Sequence, residues 1–288
     1  MTDIPQTQQG VQSDFWLNFK SSRNAQIGST IVLIIVLTAI FGPYLTPYDY
    51  TSTDMFATWE LPGSKHLLGT DGLGRDTLSR ILVGARVSLS VALVVLGITL
   101  VVGTVLGMLA GYLGGWVDSL IMRFVDIIFA FPELILAILV ASILGTGTLT
   151  VIIALALVYW PGIARMTRAL VISLKSELYV EAAVACGTPT YKIMFRHLLP
   201  NIIAPLVVRM SVGVGFLIMA EATLSFLGIG IQEPEPTWGG MIRDGLFELR
   251  TDPYLALFNS AILGITIIGF NLLGDGLRDI LDPKVRDK

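Results

Sequence analysis

Glu181 to Pro200, EAAVACGTPTYKIMFRHLLP, is the longest stretch in the middle of the chain too polar for a lipid interior, and apolar segments flank it on both sides. Its local chemistry predicts two short helices meeting at a sharp corner. Gly187 accommodates the left-handed backbone conformation that ends a helix. Thr188 is a suitable N-cap for the next helix, and Pro189 suits its first position, where a missing N–H costs nothing. The second helix then carries Tyr191, Met194, Phe195 and Leu198 along one side, at the i, i+3, i+4, i+7 spacing of an amphipathic face. Lys192 and Arg196 fall on another part of its surface, and Pro200 is expected to close the unit.

Outward from this stretch the chain is strongly apolar. Of its 288 residues 53% are hydrophobic and 14% charged, against roughly 25% charged in an average soluble domain, and the mean hydropathy is +0.74. The apolar residues gather in runs too long for globular helices, which predicts an all-α, polytopic membrane protein. A net charge of −3 gives no reason to expect nucleic acid or an acidic substrate. Cys186 is the only cysteine, so neither an intrachain disulfide nor a multi-cysteine metal site can form. His66 and His197, the only histidines, are far apart, and no metal or catalytic constellation is read. The chain has no Gly-x-x-x-x-Gly-Lys-Ser/Thr and no His-Glu-x-x-His, so neither ATP hydrolysis nor zinc proteolysis is expected of it. Its N-terminal residues are polar and lack a signal-peptide pattern, so the first apolar run reads as a retained anchor.

Six spans are expected. Residues 1–24 read as a polar tail, in which Phe15, Trp16, Leu17 and Phe19 suit either a short interfacial helix or an unstructured segment. Residues 25–86 hold the first span, Ile27 to Leu45, and a polar loop from Thr46. Residues 87–277 form a core of five spans, and 278–288 a C-terminal tail. The second span, Val87 to about Ala110, carries Gly103, Gly107 and Gly111 on one face, a spacing that lets helices approach closely; packing within the chain is the expectation. The third, Leu120 to Leu144, contains Pro132, which should kink it. Arg123 and Asp126 suit a local ion pair or snorkelling toward the interface, and Glu133 lies deep enough that it should face protein or water. The fourth, Leu149 to about Ile163, is short and loosened at Pro161, leaving a polar loop over about 165–200. The fifth runs from Ile202 to Ile229 with Glu221 well inside, and the sixth from Tyr254 to Leu273.

Six crossings place both ends on one side. That side holds Lys20, Arg23, Arg123, Arg165, Arg168, Lys175, Lys192, Arg196, Arg209, Arg278, Lys284, Arg286 and Lys288. The other holds Lys65, Arg75, Arg80, Arg86, Arg243 and Arg250, completing the 19 basic residues. The richer side is expected in the cytoplasm, which puts the 181–200 stretch inside and the 46–86 loop outside.

The 181–200 stretch resembles the cytoplasmic Glu-Ala-Ala loop of the permease subunits of bacterial ABC importers. Glu181, Ala182, Ala183, Gly187, Leu199 and Pro200 match that pattern in register, and His197 stands where the general pattern has Ile, as is common in the peptide-importer branch. Gly69-Thr70-Asp71, Gly74-Arg75-Asp76 and Ser79-Arg80 resemble the GTDxxGRDxxSR string before the second span of dipeptide and oligopeptide permeases. A turn followed by an interfacial helix is the plain reading there, with Arg75, Arg80 and Arg86 near headgroups. Glu221 to Gly228 and Gln232 to Gly239 are similar to the EAxLSFLG and QxPxPxWG strings of the same branch, and Gly274 to Pro283 to its C-terminus.

The resemblance implies a type I ABC importer permease (MetI-like) fold. It implies a heterodimer with a second homologous permease chain, one or two ATPase subunits that use ATP and Mg, and an external substrate-binding protein. This chain would bind no cofactor of its own. The implied coupling residues are Glu181, Ala182, Ala183, Gly187, Tyr191, Met194, Phe195 and Pro200, with the apolar stripe docking into an ATPase groove. Glu133 and Glu221 are candidates for the translocation path. Dipeptides or oligopeptides are the first expectation for substrate; nickel complexes, glutathione or other peptide-like solutes remain alternatives. An ion-coupled transporter using Glu133 and Glu221 is a further alternative, but it leaves the Glu-Ala-Ala spacing unexplained.

Overall fold

The computed structural model describes residues 19–250 and 252–281, and its regular structure is helical, with one isolated bridge between Thr70 and Asp76. The helices are α1 (Arg23–Phe41), α2 (Thr77–Leu113), α3 (Gly115–Phe129), α4 (Glu133–Leu144), α5 (Thr148–Lys175), α6 (Leu178–Ala185), α7 (Thr190–Phe226), α8 (Trp238–Phe247) and α9 (Tyr254–Leu281). Five, α1 (with its 3-10 extension to Tyr44), α2, α5, α7 and α9, are long and apolar enough to cross a membrane; α3 and α4 pass the same test only as a pair, which makes six if the pair is one broken span and five if it is a re-entrant loop. The expected interfacial helix around Phe15 to Phe19 lies outside the described residues except at Phe19.

Close approach between helices is supplied by small residues. A Cβ on Gly103 would sit 2.6 Å from the Ile163 Cβ, and one on Gly107 2.5 Å from the Ala164 carbonyl oxygen, so the glycine face of α2 packs on α5 of the same chain, as expected. α1 and α9 run antiparallel in similar contact, with Gly28 against Leu273 and Gly276 against Ala25, which brings the two described ends of the chain to one end of the bundle. The central core is correspondingly rich in alanine: Ala85, Ala92, Ala137, Ala141 and Ala154 are buried alongside Val95, Leu155 and Ile218. Leu33, Ile34 and Ile40 of α1 and Ile135 and Ile143 of α4 are exposed, which suits a hydrocarbon solvent and not water.

Several span boundaries differ from the sequence reading. α2 begins at Thr77, ten positions before Val87, because Asp76 caps it by accepting from the Ser79 N–H at 2.8 Å. Its 37 residues make a rod of about 55 Å, long enough to extend beyond the hydrocarbon. The third span is broken where a kink was expected: α3 and α4 meet at 89°, with Pro132 as the α4 N-cap, since proline disfavours helical geometry in the residue before it. Asp126 pairs with Arg165 of α5 at 2.6 Å, not with Arg123. α5 continues through Pro161 to Lys175, and in its second half Arg168 makes two bonds to Asp118 of α3, at 2.5 and 2.6 Å. The connecting unit is therefore shorter than 165–200. α9 runs on to Leu281, into the expected tail.

Candidate functional site: a helical hairpin, a mid-height cleft and an ionic cap

The 181–200 stretch folds as a hairpin at one end of the bundle. Gly187 adopts φ +73°. Its N–H donates to the Val184 carbonyl at 2.9 Å and the Thr188 N–H to the Ala183 carbonyl at 3.0 Å, the paired bonds of a Schellman cap. The next helix starts one residue later than expected: Pro189 is the N-cap and Thr190 the first helical residue. Pro200 does not close the unit. The helix passes through a π turn at Ile193–Leu198 and continues into α7, and Pro200 sits in the first turn after that π turn, where its missing N–H is tolerated.

The expected apolar stripe is divided by this turn. Met194 and Leu198, with Ile193, are buried in a cluster with Met108, Val171, Val180 and Ile202 of the same chain, and Met194 shows only its edge to the cleft beside it. The extra residue in a π turn rotates the following side chains, which is why simple helical spacing misplaced it. Tyr191 and Phe195 remain 61% and 53% exposed and line a wholly apolar cleft of about 410 Å³ against Val105, Leu109 and Leu113 of α2. On α6, Val180 and Ala183 face inward while Glu181, Ala182 and Val184 are exposed.

A second cleft, of about 180 Å³, lies between α2, α4, α5 and α7 and is lined by Thr99, Glu133, Tyr159, Arg209, Phe216 and Leu217 among others. Glu133 is carried there by the break between α3 and α4 and is exposed. Glu221 is not part of this cleft. It is fully buried, accepts from Ser225 Oγ at 2.8 Å, and faces Ser88 of α2 without a geometrically satisfied bond. Ser225 Oγ in turn accepts from the Ile231 N–H at 3.3 Å, tying α7 to the loop after it.

The opposite end is closed by a cap that the sequence reading missed. Arg75 and Arg80, expected at headgroups, are 6% and 1% exposed. Arg75 donates from Nε to Asp71 at 2.7 Å and forms a two-bond pair with Glu233. Arg80 donates to the other side of the group, to Glu233 at 2.9 Å and to the Tyr50 carbonyl at 3.2 Å. Asp71 also accepts from the Leu73 and Arg75 N–H groups, and His66 Nδ1 lies 2.9 Å from the Asp76 carboxylate. Burial pulls the Arg75 pKa down, but Glu233 and Asp71 outweigh it and leave it raised above its ordinary value. Trp238 is fully buried and reaches the Ile81 carbonyl, and Gly239 lies so close to Ala222 that a Cβ would stand 2.1 Å from its oxygen. The GTDxxGRDxxSR, QxPxPxWG and EAxLSFLG strings thus meet in one structure. The available signal was the excess of Arg and acid in two loops otherwise poor in core residues.

Residues 103–287 match the family described as binding-protein-dependent transport system inner membrane component, and residues 12–62 the N-terminal transmembrane domain of oligopeptide transport permease C. The chain is similar to the glutathione transport system permease protein GsiD of Pectobacterium atrosepticum, at 42% identity over 95% of this chain and 91% of that one. The same protein of Salmonella typhimurium is 43% identical over 95% and 90%, and that of Escherichia coli 40% over 95% and 90%. With its bundle of long apolar helices and matches across nearly its whole length, the chain belongs to the binding-protein-dependent transport system inner membrane component family, as a multi-pass inner-membrane permease of an ABC importer.

Proposed function

We propose that this chain forms, with a second homologous permease chain, the translocation path of an importer for glutathione or a closely related short peptide-like solute. An importer permease of this type works with ATPase and binding-protein partners. In this reading the ATPase subunits use ATP and Mg and dock on the 178–195 hairpin, and the binding protein delivers solute at the opposite, capped end. Both ends of the chain then lie in the cytoplasm, and Glu133 lies on the path.

The observation that carries the coupling is the continuity of α7. One 37-residue helix runs from Thr190 to Phe226, joining the exposed Tyr191 and Phe195 to Arg209 in the mid-height cleft. A displacement imposed on the hairpin is carried to the cleft by one continuous helix rather than a loop. Gly187 sets the angle of that helix against α6, and Glu181, Ala182 and Val184 present the other docking face. The glutathione reading is supported by relatives at 40–43% identity over 95% of the chain. A dipeptide or oligopeptide reading is supported by the oligopeptide permease match over residues 12–62.

Uptake separates these. Cells lacking the chain should lose uptake of labelled glutathione and regain it on complementation; loss confined to dialanine, with glutathione uptake intact, selects the dipeptide reading. Orientation is tested by Cys186, which is exposed at the hairpin corner. A membrane-impermeant thiol reagent should leave it unlabelled in intact cells and label it in inverted vesicles without ATPase. Labelling from outside would refute the assigned topology.

A further inference from the structure

We infer that Arg209 and Glu133 form this chain's half of an intramembrane site for a zwitterionic solute, Arg209 holding a carboxylate and Glu133 an ammonium. The inference deepens the importer reading and rests on it. Both side chains line the same cleft. Neither has a salt bridge or side-chain hydrogen bond among the described residues; the charge of Glu133 acts on the neutral phenol of Tyr159 in the same cleft. They differ in this from Arg165 and Arg168, which are matched by Asp126 and Asp118.

Position makes the lack of partners informative. Arg209 lies at the middle of α7, Thr99 close to the middle of α2, and Tyr159 close to the middle of α5. Unpaired charges at such depth are costly unless they face water, protein or a polar solute. The Arg209 side chain crosses to α5, where its Nη2 lies 3.9 Å from the place a Cβ on Gly162 would take. Phe216 and Leu217 supply apolar lining in the same cleft, with Thr99 and Tyr159 as neutral hydrogen-bonding groups. An apolar lining with opposite charges and a few fixed polar groups is the chemistry that orients a short peptide by its two ends. The cleft, about 180 Å³, falls below the several hundred Å³ usual for a complete small-molecule site, so the second permease chain supplies the remaining wall.

The test uses the full permease–ATPase complex in proteoliposomes with its binding protein at saturating concentration, so that differences between wild type and variants belong to the membrane part. Solute-stimulated ATP hydrolysis is measured with glutathione, dialanine, and the C-amidated and N-acetylated forms of each. The wild type should prefer the free zwitterions. Arg209→Gln should lower stimulation by the free-carboxylate forms about tenfold, the value of one charge-assisted bond, and leave the C-amides unaffected. Glu133→Gln should do the same for the free-amine forms and spare the N-acetylated ones. Arg209→Lys, which keeps the charge, should retain the preference for a carboxylate and answers for Arg209→Gln if that variant fails to assemble. Stimulation of the wild type by dialanine but not glutathione would remove glutathione as substrate while sustaining this site. Equal stimulation by zwitterions and blocked forms in the wild type, or unchanged discrimination in assembled variants, overturns the site itself, as does a wild type that responds to none of the solutes.

Discussion

The two ends of the bundle obey opposite rules. At the capped end, Asp71, Arg75, Arg80 and Glu233 are drawn together and hydrogen-bonded to one another, and the large aromatic Trp238 is fully buried beneath them. At the hairpin end, Tyr191, Phe195, Leu178 and Val184 are exposed, and the cleft beside Tyr191 and Phe195 has an apolar lining. One end gathers its charges into ion pairs within the chain; the other leaves an apolar cleft without a neighbour. The contrast teaches that the capped end keeps its shape alone, whereas the hairpin end is finished by another protein.

The largest effect is expected at the cap. Arg80→Ala removes a buried cation and leaves Asp71 and Glu233 with one guanidinium between them, at a cost of about 3–5 kcal/mol. Thermal unfolding of the purified permease should show it, and an unchanged melting temperature would mean that the cluster contributes nothing. Because Arg75 is raised above its ordinary value, its share of the stability is complete below the unfolded value and lost only as pH climbs through the higher folded one. Its titration should therefore leave the cap unaffected between about pH 6 and 9.

Smaller losses are expected along the rods that join the ends. Gly107→Val places a branched side chain where even a Cβ meets the Ala164 oxygen at 2.5 Å, so α2 and α5 must part, at about 1–3 kcal/mol. Gly187→Val has open space around its Cβ, so its cost is the backbone strain of a β-branched residue at positive φ alone, again about 1–3 kcal/mol. That strain acts on the hairpin, and the variant should lose solute-stimulated ATP hydrolysis while still inserting. Retention of coupling by Gly187→Val would detach the corner from the coupling role.

The smallest effect on the isolated permease, and the sharpest test of the contrast, is Phe195→Asp. Its side chain is half exposed, so stability without ATPase should change by no more than about 1 kcal/mol. Association with the ATPase should nevertheless be lost, because a charge would be desolvated in an apolar groove. Met194→Asp should behave in the reverse way, since Met194 is 5% exposed and part of the core: it should unfold the hairpin before docking is tested. If Phe195→Asp destabilises the permease as Met194→Asp does, Phe195 supports folding and the docking role falls.

Much of this was legible before the structure. Long apolar runs announce spans because a helix in hydrocarbon must satisfy its backbone internally, and the Gly187 corner follows from backbone sterics at one residue. Legibility failed where partners are distant in sequence. Asp71 and Glu233 stand apart by most of the chain, so Arg75 and Arg80 read as headgroup ligands. Arg209 looked like a basic residue near a membrane end because nothing local revealed that its helix starts at Thr190 and places it midway.

The sequence by itself determined the class: an all-α membrane protein whose spacing of Glu181, Gly187 and Pro200 resembles that of importer permeases. Those features are local, written in hydropathy, backbone sterics and short-range pattern. Tertiary structure alone decided which members of the hairpin stripe are buried, since a π turn shifts the face by one residue and only packing against Met108 and Val171 favours it. It alone decided that two arginines lie in a closed ionic cap and a third stands unpaired in a cleft with Glu133. The cost of burying a charge depends on its neighbours, and those neighbours are brought in from other helices.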